Sequence, residues 1–255
     1  MGCACSGFRE LANDPVAWRA LCHETWPSAR HVVFCGGYQA LYADAFPFPS
    51  ASSSAVPTSL PARLVSAVDL HHNGVCIMSR VVETDASSAW FLGSPFRIDA
   101  LVQEGFSSPS PIAPDELTLS WILIDPATGA ALNASSRHPV TVDRSWLSGD
   151  AVARFTVVLG GGVALDAAVT CDDRHGHVRE VSLCAGDAEG GGVSGRGGLA
   201  AAMASARQRR GAEEATRRVY EDFAKGKKER KEWKASLTCG APAWVRRPSW
   251  LSWSC

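Results

Sequence analysis

The side chains best placed to do chemistry are Asp172, Asp173, His175 and His177, four potential metal ligands within six residues. Aspartate and histidine ligate zinc and other divalent cations, and a His-x-His spacing can put two imidazoles on one side of a strand. The same run, Asp-Asp-Arg-His-Gly-His, is also what an exposed turn contains, and no other His or Cys cluster is spaced to complete a site. His71-His72 precede Asn73-Gly74 and are expected in a solvated hairpin turn. Gly190-x-Gly192-x-x-Gly195 matches the dinucleotide fingerprint, but that motif needs a strand, a tight turn and a helix in a βαβ unit. The strands around it read as antiparallel. No Gly-x-Ser-x-Gly elbow, Walker loop or His-Glu-x-x-His occurs. The expectation is therefore a non-catalytic protein with no cofactor and no metal.

A more specific pattern lies in the first 27 residues. Cys3 to Ala12 reads as one short helix, Asn13-Asp14 as a break, and Pro15 to Glu24 as a second helix ended by Pro27. Asp14 can accept from the amides of the first turn, and Pro15 at the first helical position loses nothing by lacking its own amide. Trp18, Leu21 and Cys22 recur at i, i+3 and i+4 on one apolar face, as Phe8 and Leu11 do on the first helix. Helices this short are marginal alone, so they need a partner surface.

The pattern Cys-x-Cys-x-x-Phe-x-x-Leu-x-x-Asp-Pro-x-x-Trp-x-x-Leu resembles the second half of an F-box, the motif that docks a protein onto the Skp adaptor of a cullin-based ubiquitin ligase. The resemblance implies that Cys3, Cys5, Phe8, Leu11, Pro15, Trp18 and Leu21 carry adaptor docking, with Trp18 as the anchor. A complete F-box opens with a Leu-Pro segment and a further helix. None stands ahead of Met1, which implies impaired adaptor binding or a shifted start. The same residues also satisfy Met1-Gly2-x-x-x-Ser6, the minimal myristoylation pattern, with Cys3 and Cys5 available for palmitoylation. A lipid-anchored peripheral protein is thus one alternative.

Charge is uneven along the chain. From Arg207 onward 13 Lys/Arg stand against 6 Asp/Glu, while the rest has 12 against 20. An acidic body carries a basic tail. Within it Lys227, Lys228, Arg230 and Lys231 form a nuclear-import-like patch or a solvated helix end; with only Trp233 inside the run, no nucleic-acid partner is expected. Nine scattered cysteines without Cys-x-x-Cys spacing suggest a reducing compartment, cytosol or nucleus. No run is long and apolar enough to predict a transmembrane segment.

The remaining elements predict an α+β fold. Residues 28–62, ending in a Ser/Ala/Pro-rich stretch, read as a linker; whether 31–42 holds a strand or a helix is left open by the pattern. From Leu64 the period becomes two. Leu64–Leu70 and Val75–Val82 form a hairpin across Asn73-Gly74. Further strands are predicted at 89–92, 96–102, 117–124, 140–143, 152–159, 163–170 and 177–184, so 63–185 becomes an antiparallel, sandwich-like domain suited to recognising a substrate. In 117–124, Leu117, Leu119, Trp121 and Leu123 share one face while Ile122 and Ile124 lie on the other, which predicts a central strand covered on both sides. A Gly-rich loop (186–198), a basic amphipathic helix (199–237) and a Trp/Pro/Ser tail (238–255) follow.

Taken with Trp90 to Arg97 and Leu119 to Pro126, this arrangement resembles small plant F-box proteins. It implies a substrate-recognition subunit that binds the Skp adaptor, through it a cullin, and an unknown target. The other alternative is a β-sandwich binding module, lectin-like or protein-binding, that uses Trp90, Trp121 or Trp146 as a stacking platform.

Overall fold

The computed structural model describes residues 14–45, 48–49, 59–106, 112–145, 147–172, 177–206, 210–211 and 213–239. Two antiparallel sheets form its centre, and the α+β expectation is met. The first sheet contains β1 (Arg63–His72), β2 (Val75–Asp85), β4 (Leu117–Ile124) and β5 (Ala131–Asn133), in the order β2-β1-β4-β5. The second contains β3 (Arg97–Phe106), β6 (Thr141–Arg144), β7 (Ala151–Val158), β8 (Val163–Cys171) and β9 (Val178–Asp187), in the order β3-β9-β8-β7-β6. The β1–β2 hairpin turns on Asn73 (φ 50°) and Gly74 (φ 77°). Two successive positive φ angles define the turn whose twist matches that of the flanking strands, and Asn-Gly is the dipeptide that tolerates them best.

Alternation within β4 divides the interior in two. Leu117, Leu119, Trp121 and Leu123 face inward, where they meet Leu64, Val68 and Leu70 of β1 and Phe155, Val157, Leu165 and Leu183 of the second sheet. Ile122 and Ile124 point the other way, into a separate cluster with Val65, Ala67 and Ala131. That outer cluster is covered by helices: α1 (Pro15–Thr25), a 3-10 turn (Pro27–His31) and α2 (Gly37–Ala45) contribute Cys22, Trp26, Ala29, Leu41 and Ala45. The first sheet is thus the middle layer, with helices on one face and the second sheet on the other.

Several expectations are corrected. Residues 89–92 are not a strand; Ala89–Gly93 is a short helix, α3, because Ser88 Oγ caps it by accepting from the Phe91 amide at 3.2 Å. The stretch read as a linker is folded up to Ala45, and Phe48–Pro49 pairs with Arg210–Gly211 as a two-residue ladder. The predicted helix 199–237 is two, α4 (Gly195–Ala206) and α5 (Glu213–Cys239), separated by that ladder strand near Gly211. The Gly-rich loop is shorter than expected, since β9 runs to Asp187 and α4 starts at Gly195.

His71 and His72 belong to β1 and not to the turn. His72 is buried, its Nε2 accepting from the Ala113 amide at 3.3 Å and lying 3.3 Å from Glu116. Asp173, His175 and the tail from 240 onward lie outside the described residues. Among the described residues no group of three or more His, Cys, Asp or Glu is arranged to hold a metal, and no helix is long and apolar enough to cross a membrane.

Burial also sorts the thiols. Desolvation pushes Cys22 up to about 11 and Cys171 up to about 12, so neither forms the nucleophilic thiolate near neutral pH. Cys35 is exposed. Brief treatment of the native protein with iodoacetamide, read by peptide mass mapping, is expected to label Cys35 while sparing Cys22 and Cys171, and all three should react in urea.

Candidate functional site

The helical layer holds the described part of the sequence motif. Asp14 Oδ1 accepts from the Val16 amide at 2.8 Å, with Pro15 at the first turn and the Trp26 amide closing the helix onto the Cys22 carbonyl at 2.7 Å. Cys3, Cys5, Phe8 and Leu11, together with Gly2 and Ser6 of the lipidation pattern, lie outside the described residues. Pro15 is exposed, Leu21 is 37% exposed, and Trp18 is half-buried.

Trp18 rests against Tyr42 of α2, ring centroids 5.5 Å apart, and Tyr42 in turn meets Trp26 at 5.5 Å. Its position is therefore partly internal. The exposed surface of α1 instead includes Pro15 and Val16 (72% exposed), and Leu21 stands at the rim of the space between the helix and the sheet. Tyr38, Leu41, Tyr42 and Ala45, the residues of α2 that support this arrangement, were missed as a group. Their i, i+3, i+4, i+7 spacing directly after Gly36-Gly37 was the available signal.

What ties the layer to the sheet is a buried carboxylate. Asp69 of β1, fully buried, accepts from the Ser28 amide at 2.9 Å, from Ser28 Oγ at 2.5 Å and from Ser79 Oγ of β2 at 2.7 Å. Burial raises its pKa above the ordinary carboxylate range, opposed by the hydrogen bonds from Ser28 and Ser79 and by the nearby His71. Three donors converging on one carboxylate hold the 3-10 turn that follows α1 in a fixed place. No local sequence pattern pointed to Asp69, whose partner Ser28 lies 41 residues away.

The basic patch is partly engaged. Arg230 donates from Nε (3.2 Å) and Nη2 (2.8 Å) to the Ala188 carbonyl, which fastens α5 to the turn after β9. Lys228 lies 4.0 Å from Glu232 one turn on. Lys227 lines a cavity of about 410 Å³ between α5 and the outer face of the second sheet, beside the Arg154–Asp166 ion pair and Tyr220. The Lys231 side chain lies outside the described residues. Of the proposed stacking tryptophans, Trp121 is fully buried, Trp90 is 79% exposed, and Trp146 lies outside the described residues.

Comparison with known proteins shows the family. The chain is 35% identical over 229 aligned positions to the F-box protein At2g27310 of Arabidopsis thaliana, covering 76% of this chain and 68% of that one. It belongs to the F-box protein family. The probable F-box protein At2g36090 of the same plant is 38% identical over 212 positions, 78% of this chain and 65% of its own length. The F-box protein At3g44326 is 30% identical over 275 positions, 92% and 76%. This F-box chain thus spans about two thirds to three quarters of the length of the curated relatives it matches. No protein-family profile matches it, and no solved structure does.

Proposed function

We propose that this F-box protein is a substrate-recognition subunit of a Skp-cullin-F-box ubiquitin ligase and performs no chemistry itself. In this reading the helical layer holds the Skp adaptor and, through it, a cullin. The β sandwich holds a target protein in the cytosol or nucleus. Ubiquitin transfer is then promoted by raising the local concentration of the target lysine near the conjugating enzyme.

The observation that carries the reading is the two-sided helix α1. Its inner side is fixed against α2 and the sheet through Cys22 and Trp26, whereas Pro15 and Val16 are exposed and Leu21, 37% exposed, stands at the rim where the helix overhangs the sheet, within reach of a partner. Trp18, seated on Tyr42, shapes that surface as well as contributing to it. The docking set is Cys3, Cys5, Phe8, Leu11, Pro15, Trp18 and Leu21, as the family resemblance implies. Because Arg230 is bonded to Ala188, the basic patch would serve nuclear import only with α5 released from the sheet.

The test is a pull-down of the Skp adaptor by the chain, beside Leu21→Asp and Trp18→Ala, with thermal melts of all three. Capture by the wild type is expected, weakened at least tenfold by Leu21→Asp with an unchanged melt. Trp18→Ala is expected to weaken capture and also lower the melt, since it empties a contact with Tyr42. A wild-type chain that captures no adaptor would remove the ligase reading.

A further inference from the structure

The outer face of the first sheet changes character along its length. On β4 the residues facing the helices run Thr118, Ser120, Ile122, Ile124, polar at one end and apolar at the other. The register places His71 of β1 opposite Thr118, and Asn133 of β5 opposite Ile122. The helices fill the apolar half with Leu41, Ala45 and Trp26. Over the polar half they leave a half-open cavity of about 430 Å³, walled by Leu21, Glu24 and Trp26 and floored by His71, Ser120 and Asn133, with Arg137 at its side. That volume suits a small organic ligand.

The donors in this cavity are unspent. Arg137 is exposed and has no carboxylate partner among the described residues. Asn133 is only 7% exposed; its side-chain oxygen accepts from the Ser135 amide and hydroxyl, at 3.2 and 3.1 Å, while its amide nitrogen bonds to no described group. The Asn133 nitrogen is reached from the half-open cavity, where a ligand acceptor takes the place of water. Ser120 and Thr118 add hydroxyls, and burial together with Arg137 favours the neutral form of His71, against the pull of Asp69. Glu24 balances the single full cation, so a dianion would meet one countercharge and one repulsion. Leu21 and Trp26 offer the apolar wall.

We propose that this cavity binds a small amphipathic monocarboxylate, its carboxylate taken by Arg137 and Asn133 and its apolar body lying against Leu21 and Trp26. Because one wall is α1 and the floor is the sheet, such a ligand bridges the adaptor-side helix and the β sandwich. Its binding by the isolated chain needs no adaptor, so the result is independent of the ligase reading.

The probes are benzoate, its neutral analogue benzyl alcohol, and inorganic phosphate, titrated against the full chain by ligand-observed saturation-transfer NMR. Saturable benzoate binding is expected, at least tenfold weaker in Arg137→Ala and lost in Arg137→Glu, both variants melting as the wild type does because Arg137 is on the surface. Benzyl alcohol and phosphate are expected to compete poorly. Absence of saturable benzoate binding, or binding that Arg137→Glu leaves intact, would overturn the site. Equal competition by phosphate or by benzyl alcohol would overturn the ligand class.

Discussion

Gly195→Ala is expected to destabilise the protein by about 3 kcal/mol, the upper part of the range for forcing extra volume into a packed interior. For a chain of this size that lowers the melting temperature by roughly 10 °C. The reason is the approach of two helices. A Cβ built on Gly195 would stand 1.9 Å from the Phe91 carbonyl oxygen of α3, a backbone atom that cannot swing aside. The Gly195 amide donates to the Ser94 carbonyl at 2.7 Å, so the start of α4 cannot back away without losing that bond.

Gly198→Ala, one turn on, would bring its Cβ within 2.8 Å of the buried Phe96 side chain, a longer approach and to a side chain instead of the backbone, and so costs less. Gly93→Ala meets nothing within 4 Å and is expected to change stability by less than about 0.5 kcal/mol. Urea denaturation of the three variants checks the order Gly195, Gly198, Gly93; equal midpoints for Gly195→Ala and Gly93→Ala would mean that α3 and α4 do not pack this closely. The same contact accounts for the last glycine of Gly190-x-Gly192-x-x-Gly195. A strand and a helix do flank that run, but β9 is antiparallel to both its neighbours, β3 and β8, and Gly195 is used for close helix packing, not for approach to a pyrophosphate.

How far the fold could be read in advance depended on whether a residue's role was local. The β1–β2 hairpin was legible because Asn73-Gly74 dictates its own backbone conformation. The two faces of β4 were legible because alternation is a property of the strand alone, and Ile122 with Ile124 announced a second cover without saying what it was. The cover itself was not legible. Helix α2 is nine residues long, and it forms because Leu41 and Ala45 find the sheet rather than through intrinsic propensity. Ala89–Gly93 misled for the opposite reason: Trp90 and Phe91 favour strands, and one capping hydroxyl from Ser88 outweighs that preference in so short a segment. Within the candidate site, the start of α1 at Asp14-Pro15 was legible because cap and proline act locally, whereas the internal contact between Trp18 and Tyr42 depends on a second helix.

Asp69→Ala is expected to cost about 3 kcal/mol, and its effect reaches the proposed function. The substitution removes the shared acceptor of the Ser28 amide, the Ser28 hydroxyl and the Ser79 hydroxyl. The hydroxyls can rotate toward other acceptors; the buried amide cannot, and each unsatisfied buried donor costs about 1–3 kcal/mol. Asp69→Asn keeps one oxygen and the volume, so it is expected to cost less than half as much.

The pH dependence separates charge from shape. Since burial raises the folded-state pKa of Asp69 above its unfolded value, the native protein holds the proton more tightly. The carboxyl's contribution is therefore greatest below the unfolded pKa and declines as pH rises through the folded one. Asp69→Asn lacks that decline, so its deficit relative to the wild type should shrink from acid to neutral pH in urea melts; a deficit that grows with pH would contradict the raised pKa. In adaptor binding, Asp69→Ala should leave the outer face of α1 chemically unchanged while loosening its seat on the sheet. Adaptor capture is then expected to persist near wild-type level at low temperature and to fall several-fold earlier on warming than it does for the wild type. Because a buried carboxylate holds the 3-10 turn to β1, the helical layer and the β sandwich are coupled through Ser28, and in the proposed reading that contact helps to set the distance between adaptor and target.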